Sequence, residues 1–180
     1  MRRNDIHQHR AGAGARGDFE VLPLHLARDC APTLATWHAA EWTHLYADWD
    51  EARALRELLA EPADGTLPMT LIARDEGGLL GSVSLVFDDL PGWPALNPWL
   101  ASLYVTPRAR RRSIGAALVR AAFGALVANS YERVYLFTES AQDYFTREDF
   151  RFHADASAQG HALVVMVREF GVRAQDLSGT

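Results

Sequence analysis

Arg110-Arg111-Arg112-Ser113-Ile114-Gly115-Ala116 sets three permanent cations directly ahead of a run of small residues. Before it lies the apolar run Trp99 to Val105. After it, Ile114, Leu118, Ala121, Ala122, Ala125 and Leu126 fall at helical spacing. The segment therefore reads as a strand, a basic turn and a helix start. A helix start carries unpaired backbone N–H groups and the positive end of the helix dipole. Small residues there let an anion approach the backbone. The chemistry this pattern suits is the grip of a pyrophosphate. Ser113 has three readings: its side chain crowds the phosphate, its hydroxyl caps the helix and also donates to the phosphate, or it caps only.

The rest of the chain must position that turn. A length of 180 residues is enough for one domain with a real core. Residues 1–18 are rich in Gly, Ala, Arg and His without apolar periodicity and read as a disordered leader. Residues 19–170 read as a single domain, and residues 171–180 as a loose polar tail. Phe19 to Leu24 reads as a strand in which Pro23 marks an edge. Arg28 to Leu45 has helical spacing, and Asp50 to Ala60 reads as a second helix. The period then changes: Met69 to Arg74 and Leu79 to Phe87 form a hairpin across Asp75-Glu76-Gly77-Gly78. Asp88 to Pro98 is a loop, and Trp99 to Val105 is a central strand. Val134 to Thr138 is a short buried strand, Glu139 to Glu148 a short helix, and Phe150 to His153 with Ala162 to Glu169 a closing hairpin. This order predicts a mixed α+β fold.

Composition narrows the partners. A net charge of −5 argues against a nucleic-acid surface, so the arginines are a local feature suited to a small anion. No apolar run reaches the ~20 residues that cross a bilayer, and the start of the chain lacks an apolar secretory core. The single cysteine, Cys30, excludes an intrachain disulfide and fits a reducing cytoplasm. It reads as a small buried hydrophobe. No metal is expected: His38 and Glu41 have too few partners, and His7 and His9 fall in the leader. His153 and His161 read as hairpin surface residues.

With these elements in place, the chain resembles the GNAT superfamily of acetyl-CoA-dependent N-acetyltransferases from about Phe19 to Glu169. The motif that carries the likeness is Arg110-Arg111-Arg112-Ser113-Ile114-Gly115, in which Ser113 replaces the first Gly of the family's signature. Leu103-Tyr104-Val105 with Pro107 precedes it in the family manner. The resemblance implies a mostly antiparallel sheet of six to seven strands flanked by about four helices. It implies acetyl-CoA as co-substrate, with Leu103, Tyr104 and Val105 along the pantetheine. Arg110, Arg111, Arg112, Ser113, Ile114, Gly115 and Ala116 would surround the pyrophosphate. Thr138 and Ala141 fall on the family's second segment, with Tyr144-Phe145 on its aromatic pair in swapped order. The family's proton donor to the leaving thiolate then aligns with Phe145, which has no proton to give. Either Tyr144 takes that role or it is a packed aromatic.

The implied reaction is direct attack of a primary amine on the thioester within a ternary complex. The amine must first lose a proton, because free alkylamines are mostly protonated at neutral pH. Asp88 and Asp89 are the leading base candidates, followed by Glu139 and then Glu41. Each also has a plain reading as a turn acid or a solvated helix charge. A backbone N–H near Leu103 to Val105 would serve the oxyanion, and the strands must part there, so a bulge or splay is expected. Trp42, Trp93 and Trp99 are candidates to hold a cationic acceptor through their rings, whereas Trp37 reads as core packing. The acceptor is a small-molecule amine or a peptide N-terminus, and some members of the family dimerise. The alternative function is a non-catalytic acyl-CoA-binding or regulatory module, kept open by Phe145. An aminoglycoside-modifying enzyme on the same fold is a third reading.

Overall fold

Alternating and continuous apolar runs build one seven-stranded sheet, seen in a computed structural model that describes residues 19–171. The expected leader, residues 1–18, and the tail from 172 onward lie outside the described residues. The strands are β1 (Glu20–Pro23), β2 (Met69–Asp75), β3 (Gly78–Val86), β4 (Trp99–Val105), β5 (Arg133–Thr138), β6 (Arg151–Ala158) and β7 (His161–Glu169). Their spatial order is β1-β2-β3-β4-β5-β7-β6, antiparallel throughout except for β4 beside β5. Among the described residues four α-helices flank it: α1 (Ala31–Trp42), α2 (Glu51–Ala60), α3 (Ile114–Ala128) and α4 (Gln142–Arg147). The mixed α+β expectation is met, and Pro23 lies on an edge strand, where its missing N–H costs no ladder bond.

Two boundaries differ from the sequence reading. The first helix spans Ala31–Trp42 rather than Arg28 to Leu45. Its N-terminal side is two short 3₁₀ turns, Leu24–Leu26 and Arg28–Cys30, with Pro32 in the first α turn. At its C-terminal side the chain folds back: Thr43 Oγ1 donates to the Trp49 carbonyl at 2.8 Å, and Trp49 Nε1 donates to the His38 carbonyl at 3.3 Å. The helical spacing of Trp42 and Leu45 survives, but the intervening residues bond locally instead. Strand β6 runs on to Ala158, beyond the expected His153. It is an edge strand with one wet face, so its polar and small residues hide the strand signal.

Three clusters form the core. Helix α3 lays Ile114, Leu118, Ala122 and Leu126 against Leu71, Leu80, Leu85 and Leu100. Helices α1 and α2 pack on Ile72 on the other side of the sheet. Leu45, Leu90, Trp99, Tyr135, Leu163 and Val165 make the third. Leu118 has no exposed surface, so truncation to Ala would cost about 2–5 kcal/mol.

Strand β4 carries the irregularity that matters. Against β3, Ser84 pairs with Ala101 while Ser82 pairs with Tyr104, so β4 holds one residue more than β3. Ser102 absorbs the mismatch with φ +50°. The bulge re-aims the strand. Leu100, Leu103 and Val105 all serve the α3 side, while Tyr104 turns to α1, its ring 5.3 Å from Trp37. Gly81 on β3 lets β4 approach closely, since a Cβ there would lie 2.4 Å from the Tyr104 carbonyl oxygen. Toward β5, β4 pairs only at Trp99 with Tyr135. Beyond that point the two strands part, as expected.

Candidate active site

The basic turn sits where parting strands and helix α3 meet. A 3₁₀ turn, Pro107–Ala109, leads from β4 into it. Arg111 and Ser113 are both left-handed, with φ of +63° and +60°. This coils the backbone tightly in front of α3, whose first-turn N–H groups have no partner within the helix. Ser113 has the conformation a Gly adopts without strain, which explains how it stands in the Gly position. Its side chain makes no cap to the helix, so the expected hydroxyl cap is corrected: a residue in this conformation does not direct its oxygen at the following N–H groups.

The arginines do not share one target. Arg112 donates to Asp75 Oδ2 at 3.1 and 3.2 Å in a partly buried ion pair. Arg108 donates to the carbonyls of Gly77 and Leu79. Both side chains thus clasp the β2–β3 hairpin. Arg110 Nε donates to the Val105 carbonyl at 3.3 Å, arching over the end of β4.

Helix α4 resolves the swapped aromatic pair. Phe145 is buried, edge-on to Phe150 at 5.7 Å. Tyr144 points the other way, toward the mouth of α3. A Cβ on Gly115 would stand 3.3 Å from the Tyr144 hydroxyl and 3.7 Å from Val105 Cγ2. That hydroxyl is buried without a hydrogen-bond partner, and burial raises its pKa. Thr138 Oγ1 accepts from the Ala141 and Ser140 N–H groups at 2.9 and 3.3 Å, so this hydroxyl is engaged in the turn into α4.

On the opposite side of β4, the bulge residues Ala101 and Ser102 form one wall of a pocket of about 450 Å³. Trp42, Tyr46 and Trp49 supply aromatic faces, and Glu57, Glu61, Asp88 and Asp89 supply carboxylates. Tyr46 donates to Asp89 Oδ1 at 2.9 Å, and burial pushes the Asp89 pKa from 3.8 to about 6. Asp88 differs. Its carboxylate accepts from Asn97 Nδ2 at 3.0 Å and its N–H donates to Asn97 Oδ1 at 2.8 Å, so it closes the 88–98 loop as a turn acid. Glu61 is buried, accepting from the Thr70 hydroxyl at 2.6 Å and the Thr70 N–H at 2.9 Å. Burial raises its pKa as well. His38 lies under the pocket, 3% exposed, with Nε2 3.0 Å from Ser82 Oγ. Burial holds its pKa at about 4, so it is neutral.

A family model described as "Acetyltransferase (GNAT) family" matches residues 31–150, two-thirds of the chain. The chain belongs to the GNAT acetyltransferase family. This GNAT protein is therefore an acyltransferase. Its fold agrees with an aminoglycoside 6'-N-acetyltransferase solved with coenzyme A, at 13% identity and a TM-score of 0.66. The match covers 86% of this chain and 99% of that one. A GCN5-related N-acetyltransferase from Rhodopseudomonas palustris matches at 20% identity and a TM-score of 0.63, over 88% of this chain and 100% of that one. The protein yncA from Salmonella typhimurium, solved with its cofactor acetyl-CoA, matches at 14% identity and a TM-score of 0.61, over 89% of this chain and 99% of that one. At such identities the likeness is one of fold. No curated protein sequence matches the chain.

The GNAT protein's own residues fit a pyrophosphate-bearing thioester. Gly115 keeps a cradle open that a side chain would narrow, and an orphaned hydroxyl, Tyr144, faces into it. Leu103 and Val105 line the same side, whereas the Tyr104 ring packs in the α1 aromatic cluster, edge-on to Trp42 at 6.5 Å. Of the expected acceptor residues, Trp42 lines the pocket. Trp99 is fully buried in the third cluster, which corrects its acceptor role: a strand residue ahead of the bulge points into the core. Trp93 packs on that same cluster. Glu139 is exposed and bonded to His44 and His161, away from the pocket lining. Glu41 is an exposed helix residue. His38, Tyr46, Trp49, Glu57 and Glu61 carry no motif, and only the folding of α1 and α2 onto β3 and β4 reveals their common pocket. No described helix is long and apolar enough to cross a membrane.

Proposed function

We propose that this protein transfers the acetyl group of acetyl-CoA directly to the primary amine of a small cationic molecule. The observation that carries the reading is the double use of strand β4. Its α3 side meets a mouth of unpaired helix N–H groups, and its α1 side walls an acid-lined, aromatic pocket at the bulge.

Bound acetyl-CoA supplies an activated thioester; the protein's residues do the rest. The backbone N–H groups at the start of α3 receive the pyrophosphate, with Gly115 and Ala116 allowing close contact. Trp42 and Tyr46 offer ring faces to the ammonium and Glu61 adds negative charge, whereas the Trp49 face is covered by the Arg53 guanidinium at 5.5 Å and Glu57 is paired with that same Arg53 at 3.0 Å. Asp89, ionised above about pH 6, takes the ammonium proton and leaves the nitrogen lone pair free to attack. A backbone N–H on the stretch Leu103 to Val105, whose β5 side has no partner strand, donates to the carbonyl oxygen as charge grows on it. As the C–S bond breaks, the Tyr144 hydroxyl gives its proton to the departing thiolate, and the second proton that the nitrogen sheds on becoming an amide restores the phenol. No enzyme nucleophile is needed. Cys30, half-buried beside the α1–α2 core with a raised pKa, is unsuited to be one.

A pocket of about 450 Å³ suits a small molecule better than a peptide strand. Two of the proteins sharing this fold are aminoglycoside 6'-N-acetyltransferases, and an amino sugar is one acceptor of the fitting charge. Coenzyme A release with a panel of polyamines, amino sugars and peptides tests the proposal. Turnover on a small cationic amine is expected. Acetyl-CoA binding without turnover on any amine would instead establish the acyl-CoA-binding module.

A further inference from the structure

We propose that His44, Glu139 and His161 form a zinc site on the face of the protein beyond the acceptor pocket. The three residues come from three separate segments: the chain between α1 and α2, the end of β5, and the start of β7. His44 Nε2 lies 2.8 Å from Glu139 Oε2, and His161 Nδ1 lies 2.9 Å from Glu139 Oε1. All three candidate ligand atoms fall within 4.8 Å of one another. The two imidazoles stand edge-to-face with centroids 4.9 Å apart, so both rings aim a nitrogen at one carboxylate.

Two imidazoles and a carboxylate are a donor set that zinc takes with a fourth, open position. Tetrahedral zinc with bonds of ~2.0–2.1 Å places its ligand atoms about 3.3 Å apart. The two histidine–carboxylate spacings, one to each Glu139 oxygen, are a little short of that value, and with all three ligand atoms within 4.8 Å of one another the set completes by adjustments of up to about 1.5 Å. The side chains keep 36% to 42% of their surface, so they are free to make that movement. Without metal each imidazole donates its N–H to Glu139. The ion takes the place of those two protons, so binding releases them where the imidazoles are charged and shifts the tautomer where they are neutral.

The ring of Glu139 contacts has a consequence for the pocket. His44 lies two residues before Tyr46, which bonds Asp89, and one after Thr43, which anchors to Trp49. Zinc would tie this segment to the sheet through β5 and β7. The ion is a clasp on one wall of the acceptor pocket, remote from bond making. Its binding does not depend on the acetyl-transfer reading.

The test is calorimetric titration of the untagged, chelator-treated full chain with zinc chloride, using magnesium chloride as the control. His7→Gln/His9→Gln is the reference background, because that pair could bind zinc independently. One zinc per chain is expected in the background, with no response to magnesium. His44→Gln, His161→Gln and Glu139→Gln should each weaken it by more than about 100-fold, since losing a ligand must exceed the 10–100-fold cost of losing an outer partner. Cobalt should give the visible absorption of a four-coordinate site in the background and lose it in the three variants. Circular dichroism of the surface variants should match the background. Zinc binding that is absent, that is lost with His7 and His9, or that survives all three ligand substitutions overturns the proposal.

Discussion

The Tyr144 hydroxyl stands 3.3 Å from the point where a Cβ on Gly115 would lie. One residue of α4 and one of α3 therefore share a single small space at the end of β4. The hydroxyl has no partner of its own, so an incoming donor or acceptor satisfies it rather than displacing a bond.

Gly115→Glu should weaken acetyl-CoA binding by more than about 100-fold, about 3 kcal/mol, through steric block and like charge at the helix start. Gly115→Ala should be milder, because its neighbour is the far end of a side chain that can move by a few tenths of an ångström. Equilibrium binding of acetyl-CoA to each variant checks this, and unchanged affinity in Gly115→Glu would remove the pyrophosphate from this mouth.

Tyr144→Phe should lower kcat by about 100-fold while acetyl-CoA binding changes little, as for the loss of a general acid. Steady-state rates beside direct binding separate the two effects. A full-rate variant excludes Tyr144 as the proton donor.

Asp89→Asn should abolish the rising limb of the pH–rate profile, which the wild-type protein should show near pH 6. The same change should raise stability at pH 8. The folded protein holds the Asp89 proton more tightly than the unfolded chain does, so stability falls as pH rises from about 4 to about 6. Above that window the penalty is full, about 3 kcal/mol for a shift of this size. Asn keeps an oxygen for Tyr46 and carries no charge. Urea midpoints at pH 8 measure the gain, and a loss of stability would contradict the buried-carboxylate account.

His38 works in the opposite sense. Its pKa is lowered from 6.5 to about 4, so the unfolded chain binds a proton between those values that the folded chain refuses. Stability from this residue is complete above pH 6.5 and drains away as pH falls toward 4. Between pH 4 and 6 the His38 and Asp89 effects oppose each other, so the wild-type protein should look insensitive there. His38→Gln should remove the acid sensitivity that Asp89→Asn exposes, and thermal midpoints of both variants at pH 5 and 7.5 read this out.

Gly81→Ala should destabilise the fold by about 2–4 kcal/mol, because its Cβ meets backbone, the Tyr104 carbonyl oxygen at 2.4 Å, that cannot rotate aside. Denaturant unfolding at pH 7.5 gives the value. A neutral result would mean that β4 has room to retreat from β3.

The linear chain alone marked the segment suited to grip a pyrophosphate. Periodicity gives the strands and α3, and Arg110 to Ala116 marks the helix mouth, because an anion grip of backbone N–H groups is built from consecutive residues. The parting of β4 and β5 was expected only from the reaction that the family resemblance implies, because a pantetheine arm has to enter between them. Side-chain direction was not legible in the sequence. Arg112 turns to Asp75, thirty-seven residues earlier, and Ser113 is left-handed without a cap, since long-range pairing and backbone coiling are absent from spacing. Phe145 and Tyr144 are adjacent, and only the packing of α4 decides which ring enters the core. The acceptor pocket gathers residues from His38 to Ser102, and the His44–Glu139–His161 cluster joins positions 95 and 22 residues apart. Such sites depend on how separate segments are laid across the sheet, a choice made by burial of the whole chain rather than by any stretch of it.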